Sequence, residues 1–206
     1  MKAYEESYYI VYPNEEDDNS IVPTPYTAST HWKFEKLTLG SKALSFVSEN
    51  EDLDFLMENY ALAFSVPNFV VTKKLKELLE LGLYGCQFFP AIIKNEEKSL
   101  VEGMWALNTF QELDCIDFKR SQFYMPDDGS TEIDGFTINA DMDTYRFRKE
   151  VLDKIPEEER LVFQVARTSM GEIFVHQKVV DIFTKQDVKG ISFFKVSEFE
   201  DGDQYL

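Results

Sequence analysis

The hydrophobic and polar positions of this chain read as short, aromatic-rich strands joined by polar loops, with few helical stripes. Tyr8-Tyr9-Ile10-Val11-Tyr12 is aromatic and β-branched and stops at Pro13, which predicts a strand. The next seven residues, Asn14-Glu15-Glu16-Asp17-Asp18-Asn19-Ser20, contain nothing apolar and lead to Pro23 and Pro25, so they predict a mobile loop. From His31 to Leu39, Trp32 and Phe34 alternate with polar residues before Leu37 and Leu39 resume out of phase, which reads as a strand whose face shifts midway. Ser48-Glu49-Asn50-Glu51 has capping-box spacing. The serine oxygen takes the amide three residues on while the glutamate reaches back, which predicts a helix over 49–60.

The pattern then repeats itself. Phe69-Val70-Val71-Thr72-Lys73 through Gly85-Cys86-Gln87-Phe88-Phe89 aligns without gaps on Phe174-Val175-His176-Gln177-Lys178 through Gly190-Ile191-Ser192-Phe193-Phe194. Each copy reads as a buried strand, an amphipathic helix, a tight turn at glycine and a second aromatic strand. In the first copy Leu75, Leu78, Leu79 and Leu83 form the apolar face, and Gly82 stands where a left-handed residue would end the helix. The second copy has Val179, Val180, Ile182 and Phe183 on that face and Asp187 at the stop, a weaker helix signal. Two similar lobes that each cover a sheet with a helix would explain the repeat as architecture; a binding cleft between the lobes is the alternative.

Between the copies, Gly103–Phe110 is strand-like, and Asp127-Asp128-Gly129 marks a hairpin turn between Ser121–Met125 and Thr131–Asn139. Tyr145–Ile155 mixes helix formers with aromatic alternation and stays ambiguous, Leu161–Ala166 opens another strand, and the acidic stretch Glu198–Asp203 reads as a frayed tail. These elements predict an α+β fold of mixed and antiparallel sheets with few helices, containing a duplicated strand-helix-strand unit. The expected organisation is one domain over residues 1–206, with repeat-bearing lobes at about 1–120 and 121–206.

Composition agrees with a stable core, since a chain of 206 residues can bury about 70% of its unfolded surface. No run approaches the roughly 18 apolar residues of a membrane span, and Glu5 and Glu6 stand where a signal peptide would be basic, so a cytoplasmic protein without membrane contact is expected. Cys86 and Cys115 lie in apolar segments without C-x-x-C spacing and read as reduced core residues, a disulfide being the alternative. The net charge of −17 argues against nucleic acid as a partner. Residues 1–60 carry 4 basic and 12 acidic side chains and residues 106–166 carry 7 and 14, whereas 61–105 balance at 5 and 5. Such acidic regions either keep the surface solvated or steer the chain towards a basic protein.

Catalytic chemistry finds no home in the pattern. His31, His176, Cys86 and Cys115 are scattered too widely for a zinc site, and phosphate loops, dinucleotide fingerprints and nucleophile elbows are missing from the sequence. His176 replaces Val71 of the other copy and reads as a partly buried structural residue. The pairs Asp114/Asp117 and Asp141/Asp143 have the spacing to hold a divalent cation or act as acid and base, but among 38 acidic residues such pairs arise by chance. Neither catalytic residues, metal ligands nor a cofactor are assigned.

Asn68-Phe69-Val70-Val71, Leu75–Glu80, Gly85-x-x-Phe88-Phe89-Pro90, Trp105-Ala106-Leu107-Asn108 and Asp114-Cys115-Ile116-Asp117 with Ser121 together resemble the Imm11 immunity-protein family. Ile173-Phe174-Val175 and Gly190-Ile191-Ser192-Phe193 extend the resemblance, which covers roughly Tyr8 to Val196. It implies a bacterial protein encoded beside a polymorphic toxin that inhibits its cognate toxin by stoichiometric binding. It also implies structural places for Trp105, Asp114, Asp117, Ser121, Gly85 and Gly190. The acidic segments Glu15, Glu16, Asp17, Asp18 and Asp127, Asp128, Glu132 are the expected contact residues, because buried repeat helices cannot reach a partner. Two other classes stay open: a small-molecule sensing module using an inter-lobe cleft, and a metal-dependent hydrolase built on the aspartate pairs. The sequence leaves the oligomeric state undetermined.

Overall fold

The computed structural model describes residues 3–14, 21–31, 33–50, 53, 56, 61–64, 68–80, 82–95, 99–125, 131–132 and 137–205. Its elements begin with β1 (Tyr8–Pro13), β2 (Ile21–Pro23), α1 (Pro25–His31), β3 (Leu44–Ser48) and β4 (Ala61–Phe64). The first strand-helix-strand segment follows as β5 (Asn68–Thr72), α2 (Lys73–Leu79) and β6 (Cys86–Lys94), and β7 (Leu100–Thr109) returns beside it. Short pieces come next: β8 (Phe123–Tyr124), β9 (Thr131–Glu132), β10 (Thr137–Ile138), β11 (Asp141–Met142) and α3 (Lys149–Leu152). The last elements are β12 (Val162–Gln164), β13 (Ile173–His176), α4 (Gln177–Lys185) and β14 (Ile191–Lys195). The protein is α+β, with mixed and antiparallel sheets and few helices.

Two sheets dominate, ordered β2-β3-β6-β7-β5-β4 and β12-β13-β1-β14. Strands β5 and β6 are both antiparallel to β7, which lies between them, and so run parallel to each other. Strands β13 and β14 have the same relation to β1. In each segment the helix thus joins two parallel strands across a gap that a third strand fills.

Strand periodicity places side chains on both faces of each sheet. On β1, Tyr8, Ile10 and Tyr12 enter a core shared with Tyr145, Phe147 and Phe163, while Val11 points the other way. That second face meets the six-stranded sheet in a middle core, where Leu75 and Leu79 of α2 and Val179 and Phe183 of α4 join Phe69 and Phe88. A third core around Phe46, Val70, Phe89 and Ile93 lies on the far side of the larger sheet. Thr72 caps α2 by accepting from the Leu75 amide at 3.4 Å, and His176 caps α4 through Nδ1, which accepts from the Lys178 amide at 3.2 Å. Gly82 and Asp187 both adopt left-handed backbone, at φ +86° and +51°. After α4 the Val188 and Asp187 amides reach back to the Phe183 and Thr184 carbonyls at 3.0 and 3.1 Å, so the aspartate closes the helix as glycine would.

Several sequence expectations need correction. Residues 33–39 form a turn and an irregular stretch in place of the strand expected over His31–Leu39, and His31 ends α1. Phe34 lies in the left-handed region at φ +50°, which breaks a strand, and Leu39 is 72% exposed while Leu37 packs against the third core, so the stretch does not alternate as a strand. Side chains from the sheet hold the stretch: Asn108 Nδ2 donates to the Glu35 carbonyl at 3.1 Å and Gln87 Nε2 to that of Leu37 at 3.0 Å. The helix expected over 49–60 falls mostly outside the described residues; just before them, Ser48 Oγ accepts from the Asn50 amide at 3.2 Å. Asp127-Asp128-Gly129 also lies outside them, and the strands expected to flank it pair differently: β8 with β11, and β9 with β10. The β8–β11 register carries Met142 into the core beside Tyr145. Glu198–Asp203 is anchored, not frayed, because Phe199 is buried against Tyr12, with ring centroids 6.0 Å apart, and the Asp201 amide donates to the Asp143 carbonyl at 3.0 Å. In the ambiguous Tyr145–Ile155 stretch, Tyr145 and Phe147 are buried ahead of the short α3.

Gly85 and Gly103 separate strain from collision. Gly85 has φ +62°, and a Cβ there would lie 1.9 Å from the Gln111 carbonyl oxygen; Gly103, at φ +82° in a bulge of β7, has open space around it. Gly103→Ala is expected to lower stability by about 1–2 kcal/mol through backbone conformation alone. Gly85→Ala should lose clearly more, since backbone must also move. Urea denaturation of the two variants checks this, and equal losses would contradict it.

Candidate functional site

The segment Asp114–Ser121 zips onto Thr144–Arg148. The Asp117 amide donates to the Arg146 carbonyl at 2.8 Å, the Arg148 amide to that of Cys115 at 2.7 Å, and Ile116 bridges Phe147. Ser121 Oγ accepts from the Arg146 amide at 2.9 Å. The Asp114 carboxylate holds Arg148 at 2.7 Å and Arg167 at 2.6 Å. Asp117 accepts from Arg120 Nε at 2.6 Å, and that bond holds its carboxyl below the usual range. The other residues of the family pattern lie in the sheets. Gly85 and Gly190, both at positive φ, precede β6 and β14, and Trp105 on β7 has the Lys76 ammonium 4.7 Å from its ring centroid.

Glu5, Arg160 and Glu172 are buried charged residues that carried no sequence signal. Glu5 Oε1 accepts from the Phe147 amide at 2.7 Å, and Arg160 Nε donates to the Leu152 and Ile155 carbonyls at 3.2 and 2.9 Å. Both cysteines are buried free thiols; burial pushes Cys86 up to about 11 and raises Cys115 further. Burial likewise lowers the basicity of His176, whose Nε2 is 3.8 Å from Glu157. Among the described residues no group of three or more His, Cys, Asp or Glu side chains is arranged to hold a metal ion, and no helix is long and apolar enough to cross a membrane.

Of the acidic contact candidates, Glu15, Glu16, Asp17, Asp18, Asp127 and Asp128 lie outside the described residues, and Glu132 belongs to β9. A different acidic surface is in view. Glu198, Glu200, Asp201 and Asp203 follow β14, and Asp201 bonds back to the segment that carries Asp141 and Asp143. Tyr124, 55% exposed, stands among them, and the Asp201 carboxylate, with smaller effects of Asp141 and Asp143, raises its hydroxyl above the ordinary value. Lys195 Nζ lies 2.9 Å from Glu6 and 3.1 Å from Glu198. Beside this rim is an open depression of about 620 Å3, lined by Tyr9, Phe193, Phe194, Lys195, Glu198 and Asp203 among others. Aromatic surface inside an acidic border suits a protein partner with basic and apolar groups. The sequence signal for it was the run Glu198–Asp203, but the burial of Phe199 and the Asp201 bond to Asp143 make that run a fixed surface.

The family model described as Imm11: Immunity protein family (Imm11) matches residues 6–198 of this chain. Comparison with curated proteins gives no match.

Beneath the acidic surface Glu172 is 2% exposed and accepts hydrogen bonds from the Tyr145 and Thr168 hydroxyls. Burial raises its carboxyl above the ordinary 4.5, against the lowering effect of those bonds. The folded state therefore holds this proton more tightly than the unfolded chain. The stability it contributes is complete below the ordinary value and is lost as pH rises through the raised folded value. The stability of the unmodified protein relative to Glu172→Gln should accordingly fall as pH rises from the ordinary value of 4.5 through the raised folded value. Denaturation midpoints over that range check it, and a difference that stays flat or grows with pH contradicts it.

Proposed function

The chain belongs to the Imm11 immunity protein family, and from that premise we propose that it neutralises a cognate toxin by binding it directly and stoichiometrically, without turnover, in the cytoplasm. The family match over residues 6–198 carries the reading. The charge distribution supports it. A chain of net charge −17 repels nucleic acid and anionic lipid but attracts a basic protein, speeding encounter and rejecting wrong partners. The rim Glu198, Glu200, Asp201 and Asp203 supplies the field at a fixed place, and the aromatic residues beside it supply the apolar anchors that tight binding needs. The acidic segments Glu15–Asp18 and Asp127–Glu132 are proposed as further contacts of the same sign. Asp114, Asp117 and Ser121, engaged in joining two segments of the chain, are proposed to act on stability and not on the partner.

Tagged protein passed through lysate of its native cell is expected to retain one protein in near-equimolar amount. Expressing that protein alone should arrest growth, and co-expressing this chain should restore it; growth arrest that the chain leaves untouched would refute the reading. With the captured toxin, Glu198→Lys combined with Asp203→Lys should weaken binding at least about tenfold at low salt and flatten its salt dependence. Asp114→Asn should lower stability by about 1 kcal/mol, in keeping with a partly exposed ion pair, and leave toxin affinity unchanged.

A further inference from the structure

The four-stranded sheet ends on β14, which has β1 on one side and no described strand on the other. The direction of each β14 backbone group follows from the ladder. The Val196 amide donates to the Tyr8 carbonyl at 3.0 Å and the Asn14 amide to that of Gly190 at 3.1 Å, and the register between them runs from Tyr9↔Lys195 to Pro13↔Ile191. Antiparallel pairs alternate between bonded and non-bonded positions. Gly190, Ser192, Phe194 and Val196 therefore bond inward, and the amides of Ile191, Phe193 and Lys195 with the carbonyls of Ile191 and Phe193 point outward. The Lys195 carbonyl is taken by the Glu198 and Phe199 amides, each at 3.0 Å.

The opposite edge of the sheet is closed. Leu83 bridges Val162, Leu113 bridges Val165, and the Val162 amide donates to Gly82 at 2.9 Å. On β14, by contrast, the Ala61 amide reaches the outer side at the Lys189 carbonyl, 3.0 Å away and just before the strand, and among the described residues no strand pairs beyond it from Ile191 to Lys195; Phe193 and Phe194 belong to opposite faces yet line the same depression. An uncovered edge is a template for a further strand.

We propose that β14 is the docking edge for the toxin, and that an extended toxin segment alternating basic and apolar residues adds to it as a fifth strand. This rests on the toxin-binding reading and names its site. Backbone bonds to residues 191, 193 and 195 fix the register, apolar side chains meet Phe193 and Phe194, and basic ones meet Glu198 and Asp203. The same charges select the occupant: a second copy of a chain of net charge −17 would bring its own acidic rim to this edge.

The test needs no toxin. A short synthetic peptide alternating lysine and valine should slow hydrogen exchange at the amides of Ile191, Phe193 and Lys195. The same peptide N-methylated along one edge, or with glutamate in place of lysine, should not. Lys195→Pro removes one outward donor and spares the ladder to β1, as proline on an edge strand does. It should weaken the lysine peptide at least tenfold, although losing a lysine makes the site more attractive to a basic ligand. Unchanged exchange at Ser192 and Phe194 verifies that the variant is folded. Absence of protection, equal binding of the N-methylated peptide, or protection that grows with the concentration of the chain alone would overturn the proposal. Capture of the toxin by Lys195→Pro at unchanged affinity would overturn the edge while leaving toxin binding in place.

Discussion

Strand β1 holds the smaller sheet together. The two strands that α4 connects, β13 and β14, do not bond to each other; both bond to β1, which arrives from the other end of the chain and fills the gap between them. Its alternate side chains are buried on both faces, and burying Ile10 or Val11 is worth about 1.5–3 kcal/mol each, against about 1–2 kcal/mol for ordering each residue's backbone. Tyr8 adds a polar tie, its hydroxyl donating to the Arg160 carbonyl at 3.0 Å while accepting from the Arg160 guanidinium. Through Arg160, whose Nε also serves the Leu152 and Ile155 carbonyls, the central strand is joined to the end of α3 and the approach to β12.

A sheet covered on both faces has little to offer a partner except its margins. One margin is closed by the bridges to Leu83 and Leu113, and the other carries the anchored acidic residues after β14. Phe199 is decisive, because it pins to the core a stretch whose other side chains are acidic or small. Charges held on a rigid surface act on a partner without first losing conformational freedom.

Much of the scaffold was legible in the sequence because its strands are aromatic and β-branched runs and its turns use residues that tolerate left-handed backbone. Tyr8–Tyr12, most of the strand that runs through Gly103 and the left-handed positions Gly82 and Asp187 emerge this way. The failures share a cause. Alternation at His31–Leu39 says nothing of whether a neighbouring layer exists to bury one face. An aspartate-aspartate-glycine signal carries no information on partners, and Phe123 and Tyr124 pair with Asp141 and Met142. Glu5 serves an amide 142 residues away, which no local pattern encodes. The candidate surface was hidden for the same reason: that β14 is an edge depends on strand order, and strand order is set by contacts remote in sequence.

The insertion of β1 also fixes an order of events during synthesis. Tyr9 shares a hydrogen bond with Gln177, 168 residues further on, so the smaller sheet cannot close until its last strands have left the ribosome. Meanwhile Tyr8–Tyr12 waits unpaired, an uncharged aromatic and β-branched stretch of the kind that self-associates. Glu5 and Glu6 stand just before it, and Glu15, Glu16, Asp17 and Asp18 just after. Whatever these carboxylates do in the finished molecule, on the nascent chain they are gatekeepers that keep the waiting strand in solution.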